Sequence, residues 1–546
     1  MLQAARCIAQ SMARFNKTCT LRQGEIFMNK VTKKFKDLAI LPLSAFVLAA
    51  CGGSGGENQS VSATAATANV TADEKAASIT EIERAAVAVQ REVPAPIANG
   101  SGSVLTFSTL GFIDNSNPFF TPLGNGRSCS TCHQEGQAWT VTPAALVARF
   151  NASKGADPIF QLVDGANSPL APVTTLAQKQ VAYSMLLTKG LIRIGLPIPS
   201  GAEFELVNAN DPYGFASAAE LSLFRRPLPT TNLKFVSTVM WDGRETFTEA
   251  GSGLCIDNVL PALCFATPTF DLLDQSNTAA KDHAQLVAGL TAAQQQSIVG
   301  FEQTLFTAQA SDNLAGSLST NGAEGGPQIL SNNAYYFGIN DFVAGDYKTK
   351  AQFNRNVMNL FTAWTTAAPP PPPPGSRGAP PPLNNAVPSA QASIARGEQI
   401  FNTKPFNIVG VNGLNDDLNQ SSFRGSCSTC HEAPNAGTQS VPRLFNTGVA
   451  AAALRTPDLP LYTLKNITTG VTVQTTDPGR ALVTGKWADI GRIKVPDLRA
   501  LAARAPYFHN GSQSNLTDVV QFYDKRFQIG FTPQEVTDLT NFLQAL

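Results

Sequence analysis

"GRSCSTCHQE" at residues 126–135 and "RGSCSTCHEA" at 424–433 place one pentapeptide, CSTCH, in two distant parts of the chain. In C-x-x-C-H the two thiols form thioethers to the vinyl groups of a haem, and the adjacent histidine ligates its iron. The spacing assigns Cys129, Cys132 and His133 to one covalent c-type haem, and Cys427, Cys430 and His431 to a second. A redox C-x-x-C or half of a zinc site is the competing reading of a single copy. Two copies among only four histidines favour haem.

The N-terminal residues agree with export, which c-type haem attachment requires. "MNKVTKKFKDLAILPLSAFVLAAC" opens at Met28 with basic residues, continues through a short apolar run and ends at Cys51. The run is too short and Pro-interrupted for a spanning helix and reads as an export signal. Leu48-Ala49-Ala50-Cys51 resembles a bacterial lipobox, which implies cleavage before Cys51 and a lipid on its thiol. Residues 1–51 are therefore an over-long start plus signal peptide. The expected location is the periplasmic side of a bacterial membrane or the cell surface. Cys7 and Cys19 precede the signal, and four cysteines hold haem. Cys255 and Cys264 remain, and in an oxidising compartment they form a disulfide rather than two buried thiols.

The 546 residues carry 40 basic and 40 acidic side chains, a balance that gives no electrostatic footprint for nucleic acid. Residues 52–98 are Gly/Ser/Ala/Thr-rich and read as a flexible tether; 367–391 is a polyproline stretch that joins neither helix nor sheet. Between and beyond them lie 99–366 and 392–546, each with one CSTCH. "TAAQQQSIVGFEQTL" (291–305) and "TPQEVTDLTNFLQAL" (532–546) match as two helices begun by a Thr cap. "SIARGEQIFNT" (393–403) resembles the opening helix of a small c-type cytochrome. The expected fold is mainly α: two cytochrome c-like helical domains with long loops and little strand.

"VMWDGRETF" (239–247) and "KVPDLRALAARAPYFHNGSQSNLTDVVQFYDKRF" (494–527) resemble the bacterial di-haem cytochrome c peroxidase superfamily, which includes the MauG-type enzymes. The resemblance implies a peroxide-activating N-terminal haem, an electron-transfer C-terminal haem and a tryptophan between them, matched by Trp241. No histidine lies between His133 and Trp241, where many relatives carry a ligand that caps the first haem. Within that interval Met185 reads as a core residue. The first iron is therefore expected to be open. The family's L-x-x-Q motif matches Leu272–Gln275, but its acid/base Glu position falls near Gln285, two residues after His283. His283 is the candidate proton shuttle, an imidazole suiting that task near neutral pH. Gln275 and Gln285 offer hydrogen bonds to a small oxidant.

At the second haem the resemblance implies a distal ligand other than methionine, since none follows Met358. Tyr523 and His509 are the two candidates, with Tyr523 at the position of the MauG-type tyrosine. Arg504 stands where the family's calcium site usually has Thr, which argues against calcium. The functional expectation is an exported oxidoreductase that activates hydrogen peroxide at the His133 haem. A small redox protein or a protein substrate would supply electrons through Trp241 and the His431 haem. Dioxygen activation and plain electron carriage are the alternatives. Lipid at Cys51 would be the membrane contact.

Overall fold

The computed structural model describes residues 91–256, 262–366 and 386–546. The export signal, Cys51, the tether up to residue 90 and residues 367–385 of the polyproline stretch lie outside the described residues. The tether ends sooner than its composition implies. Arg91–Glu92 pairs antiparallel with Ile113–Asp114, and Ile97–Asn99 (β1) with Gly102–Ser108 (β2).

Around each CSTCH the chain is helical. In the first part these helices are α1 (Pro143–Ser153), α2 (Pro268–Asp282) and α3 (Ala292–Glu302). In the second they are α4 (Ala386–Thr403), α5 (Leu516–Phe527) and α6 (Pro533–Gln544). The helices of the internal repeat start as their sequences require. Thr291 Oγ1 accepts from the Gln294 amide and Thr532 Oγ1 from the Glu535 amide. In both, the Gln or Glu side chain reaches back to the cap, satisfying amides that a helix start leaves free. Helices α4 and α6 cross so closely that a Cβ at Gly397 would sit 2.0 Å from the Asp538 carbonyl oxygen. Only glycine permits that approach.

Between the helices the long connections are not shapeless. β3 (Ile192–Leu196) pairs with β5 (Leu221–Arg225), and β4 (Phe204–Asn210) with β7 (Leu461–Asn466), which also pairs with β8 (Thr472–Thr475). β6 (Leu305–Asp312) pairs with β2. The cause is visible in "LYTLKN" at 461–466, whose alternate residues Tyr462, Leu464 and Asn466 are buried. Alternation of that period is the signature of a half-buried strand. Among the described residues the sheets are small and antiparallel.

Packing crosses the division at the polyproline stretch. The β4–β7 ladder joins residues from its two sides. Val357, Met358, Phe361 and Trp364 share one core with Ile394, Phe401, Leu539 and Phe542. The described residues belong to one compact unit. A second core, of Ile113, Phe119, Trp139, Ile298 and Phe301, packs against Cys129. Cys255 and Cys264 are disulfide-bonded. No described helix is long and apolar enough to cross a membrane.

Candidate functional site

The hexapeptide SCSTCH folds the same way twice because its own side chains dictate it. Ser128 and Ser426 cap the short turn: each backbone amide donates to the Thr three residues on, at 2.9 Å to Thr131 Oγ1 and 3.1 Å to Thr429 Oγ1. The hydroxyls of Ser128 and Ser130, and of Ser426 and Ser428, lie 2.7 Å apart. The turn brings both cysteines of each copy to one cavity wall, and unlike Cys255 and Cys264 these four are unbridged.

The histidine that follows is then fixed from six residues downstream. His133 Nδ1 lies 3.1 Å from the Trp139 carbonyl oxygen and His431 Nδ1 2.6 Å from that of Gly437. Both carbonyls are delivered by left-handed backbone, with φ of 60° at Trp139 and 74° at Gly437. An imidazole whose Nδ1–H donates to a carbonyl leaves Nε2 free for a metal, the usual orientation of a ligating histidine. Burial lowers both imidazoles to about 4, so they are neutral, as ligands must be.

Both motifs open into one continuous cavity of about 420 Å³. Its first end is lined by Cys129, Cys132, His133, Gln275, His283 and Glu302, its second by Cys427, Cys430, His431, Tyr523, Leu539 and Leu543. Trp241 and His509 also line the cavity, their rings 6.2 Å apart at 62°. Whether these residues suit haem is tested by the polar atoms that the fold leaves unpaired. Arg504 lines the cavity with Nε and Nη2 buried and unpartnered, and both ring nitrogens of His509 lack a hydrogen bond. The Arg504 guanidinium with its free donors, and a neutral His509 with one N–H to give, beside an apolar wall fit the two carboxylates of a haem, and the thiol pairs with their histidines fit its attachment.

Trp241 is held by main chain on both sides. Its Nε1 donates to the Arg226 carbonyl at 2.8 Å, and its own carbonyl accepts from the Lys494 amide at 2.9 Å. Beside it runs a buried ionic chain. Asp242 meets Arg225 Nη1 at 2.5 Å, and Arg225 reaches Asp477 through Nε at 2.7 Å and Nη2 at 2.9 Å. His509 Nε2 lies 3.6 Å from Asp477 Oδ2. The Arg225 and Arg244 guanidinium groups hold the Asp242 carboxyl down at about 2 although it is buried. Burial lowers His509 to about 4, leaving it neutral despite Asp477.

The other candidates divide by place. Gln275 and His283 line the first end of the cavity. Gln285 does not: it is exposed, and its Oε1 accepts from Asn125 Nδ2 at 3.3 Å. Its backbone is left-handed, φ 52°, just past the end of α2, and that turn takes the side chain out of the site. Met185 is buried with Leu191, Phe224 and Leu459, away from the cavity. Tyr523, on α5, lies beside Cys427 and Cys430 and stacks parallel to Phe527 at 6.3 Å, whereas His509 sits against Trp241. Arg504 Nη1 lies 3.4 Å from Asp497 Oδ2.

Sequence reading missed two carboxylates at the first end. Asp164 bonds His283, and Glu302 lines the cavity beside Cys129 with no hydrogen-bond partner among the described residues. Burial raises the Glu302 carboxyl to about 8. The internal repeat contained a signal for Glu302, since it aligns with Leu543: one copy places a carboxyl where the other has an apolar side chain. Nothing local marked Asp164.

The two CSTCH turns face one cavity, and their thiols and histidines suit a haem-binding redox site. Comparison with known proteins narrows it. Over 148 residues the chain is 32% identical to cytochrome-c peroxidase IdrP1 of Denitromonas iodatirespirans, covering 23% of this chain and 38% of that protein. It is 30% identical over 164 residues to IdrP1 of Pseudomonas sp. (strain SCT), and 32% identical over 140 residues to the cytochrome c551 peroxidase of Nitrosomonas europaea. These cover 25% of this chain in each case, and 42% and 35% of the relatives. The chain thus spans well under half the length of the curated relatives it matches. No family model matches the chain.

Proposed function

We propose that the protein is an exported di-haem oxidoreductase of the cytochrome c peroxidase kind, with hydrogen peroxide as its oxidant. The observation that carries this reading is the single cavity lined by both CSTCH turns and by Trp241. The names of the similar proteins supply the peroxidase class. The haems, held through Cys129/Cys132/His133 and Cys427/Cys430/His431, would supply the redox chemistry. The polypeptide does the rest.

At the first end the cavity is also lined by Met240, which packs against the cluster of Val236, Val239, Leu272 and Val299, and by His283, whose Nδ1 is committed to Asp164 at 2.6 Å. That leaves room for peroxide, with His283 to take its proton and Gln275 to orient it. Trp241 would offer a route between the two ends, and its fixed position keeps the reorganisation small when charge moves. At the second end Tyr523 is the proposed distal ligand, because it lies beside the Cys427–Cys430 turn while His509 lies beside Trp241. An oxygen ligand there stabilises ferric iron and lowers the potential. Electrons would come from a small redox protein or an oxidisable side chain of a partner. The proposed location is the periplasmic side of a bacterial membrane or the cell surface, with lipid at Cys51.

Low-temperature electron paramagnetic resonance of the fully ferric holoprotein tests this reading. One high-spin and one low-spin haem are expected. Two low-spin haems would mean that both irons are capped and that the protein is an electron carrier.

A further inference from the structure

The first end of the cavity contains a side-chain relay built from three parts of the chain. His283 stands at the end of α2, 29% of its side chain exposed, with Nδ1 2.6 Å from Asp164 Oδ2. Asp164 is buried in the loop that follows α1, and Arg127 Nη1 holds its other oxygen at 2.6 Å. Arg127 is itself fixed. Its Nε donates to the Pro158 carbonyl at 2.7 Å, Nη2 to Ile159 at 2.8 Å, and Nη1 also to His283 at 3.1 Å. Asn125 Nδ2 reaches the same His283 carbonyl at 2.9 Å. Arg127 and Asn125 stand two and four residues before Cys129, so the segment proposed to attach the first haem also fixes the His283 backbone.

The protonation pattern follows from donor chemistry. The His283 and Arg127 hydrogen bonds hold the Asp164 carboxyl below the usual range, outweighing burial, so it is ionised at neutral pH. An ionised carboxylate only accepts, so the proton of a neutral His283 must sit on Nδ1. Nε2 is then a bare lone pair, with no partner among the described residues, on a ring that lines the cavity. The charged group in contact with the ring is Asp164, backed by Arg127, and the neutral His133 also lines the cavity.

We infer that Asp164 is a positioning residue, which locks His283 in the tautomer whose Nε2 accepts the proton of an acid entering the first haem site. The transfer breaks one bond from hydrogen to the ligand and forms one N–H bond at Nε2. No electron moves, and the imidazolium is balanced by the Asp164 carboxylate. The inference rests on the open first site proposed above, and deepens it.

Two ligands separate proton handling from access. Hydrogen cyanide must lose its proton to bind ferric haem, whereas carbon monoxide binds ferrous haem with no proton to give. Stopped-flow mixing of the di-haem holoprotein with each measures both rates at the same site. In D164N the amide can donate to Nδ1 and drive the ring proton to Nε2. Cyanide uptake is then expected to slow by about 10²–10⁴-fold, the span of general acid–base assistance, with carbon monoxide uptake unchanged. H283Q should reproduce the same selective loss, and keeps the test decisive if D164N does not fold. Unchanged cyanide uptake in H283Q, or equal slowing of both ligands in a folded D164N, would overturn the inference. Wild-type protein that takes up neither ligand at the His133 haem would refute the open site itself, and the inference with it.

Discussion

Trp241 illustrates how much a single side chain owes to backbone that is not its neighbour. Its ring is placed by the Arg226 carbonyl, and Arg226 in turn donates its amide to the His509 carbonyl at 2.6 Å. The Arg226 guanidinium then bonds three further carbonyls, of Val141, Lys189 and Arg504. Trp241, His509 and both ends of the cavity therefore share one mechanical reference. Replacing Trp241 with Phe keeps an aromatic ring but deletes the N–H donor, at a stability cost of about 1 kcal/mol. Electron exchange between the haems should slow by much more than that cost implies. Pulse radiolysis reads the exchange directly; a rate equal to wild type would remove Trp241 from the route.

The two terminal helices of the repeat, α3 and α6, share their Thr caps and their approach to a CSTCH turn, yet differ at one cavity-facing position. Leu543 is compatible with an apolar wall at any pH. Glu302 is not, because its buried carboxyl is held at about 8 against an ordinary 4.5. Between those values the folded chain keeps a proton that the unfolded chain has released. Stability therefore falls as pH rises through that window, by up to about 1.4 kcal/mol per pH unit, and levels off above it. Glu302→Gln should flatten this dependence, so that the variant is more stable than wild type at pH 8 and nearly equal at pH 4. Denaturant midpoints of the holoprotein across that range check the sign; a stability that rises with pH in wild type but not in the variant would contradict it.

Across the whole molecule the two CSTCH segments are joined by polar as well as apolar contacts. Arg225 grips Asp242 from its own part of the chain and Asp477 from the other, all three buried. Removing one member leaves an uncompensated charge in the interior, which costs about 3–5 kcal/mol. Asp477→Asn should therefore lower stability on that scale. It should also raise hydrogen exchange in both β5 and the segment around Asp477, because the lost bond spans them. Mass spectrometry of exchange locates the effect; protection lost on only one side would show that Arg225 does not couple the two.

The two CSTCH turns, the Thr-capped repeat helices and the Cys255–Cys264 disulfide were legible in the sequence, because each depends on residues close together in the chain. The residue at the first end of the cavity was only half legible. His283 was found by counting histidines, but Asp164 and Arg127, which orient it, lie 119 and 156 residues away and carry no local mark. Gln285 was misplaced because counting along a motif cannot foresee a left-handed turn. The strands between the helices and the ladder between 204–210 and 461–466 went unread for a related reason: pairing depends on a partner that periodicity alone does not name. By itself the sequence determined the form of the two CSTCH turns, since capping turns are local chemistry. Only the tertiary structure decided which side chains surround each one, since burial and long-range hydrogen bonds exist only once the chain has closed on itself.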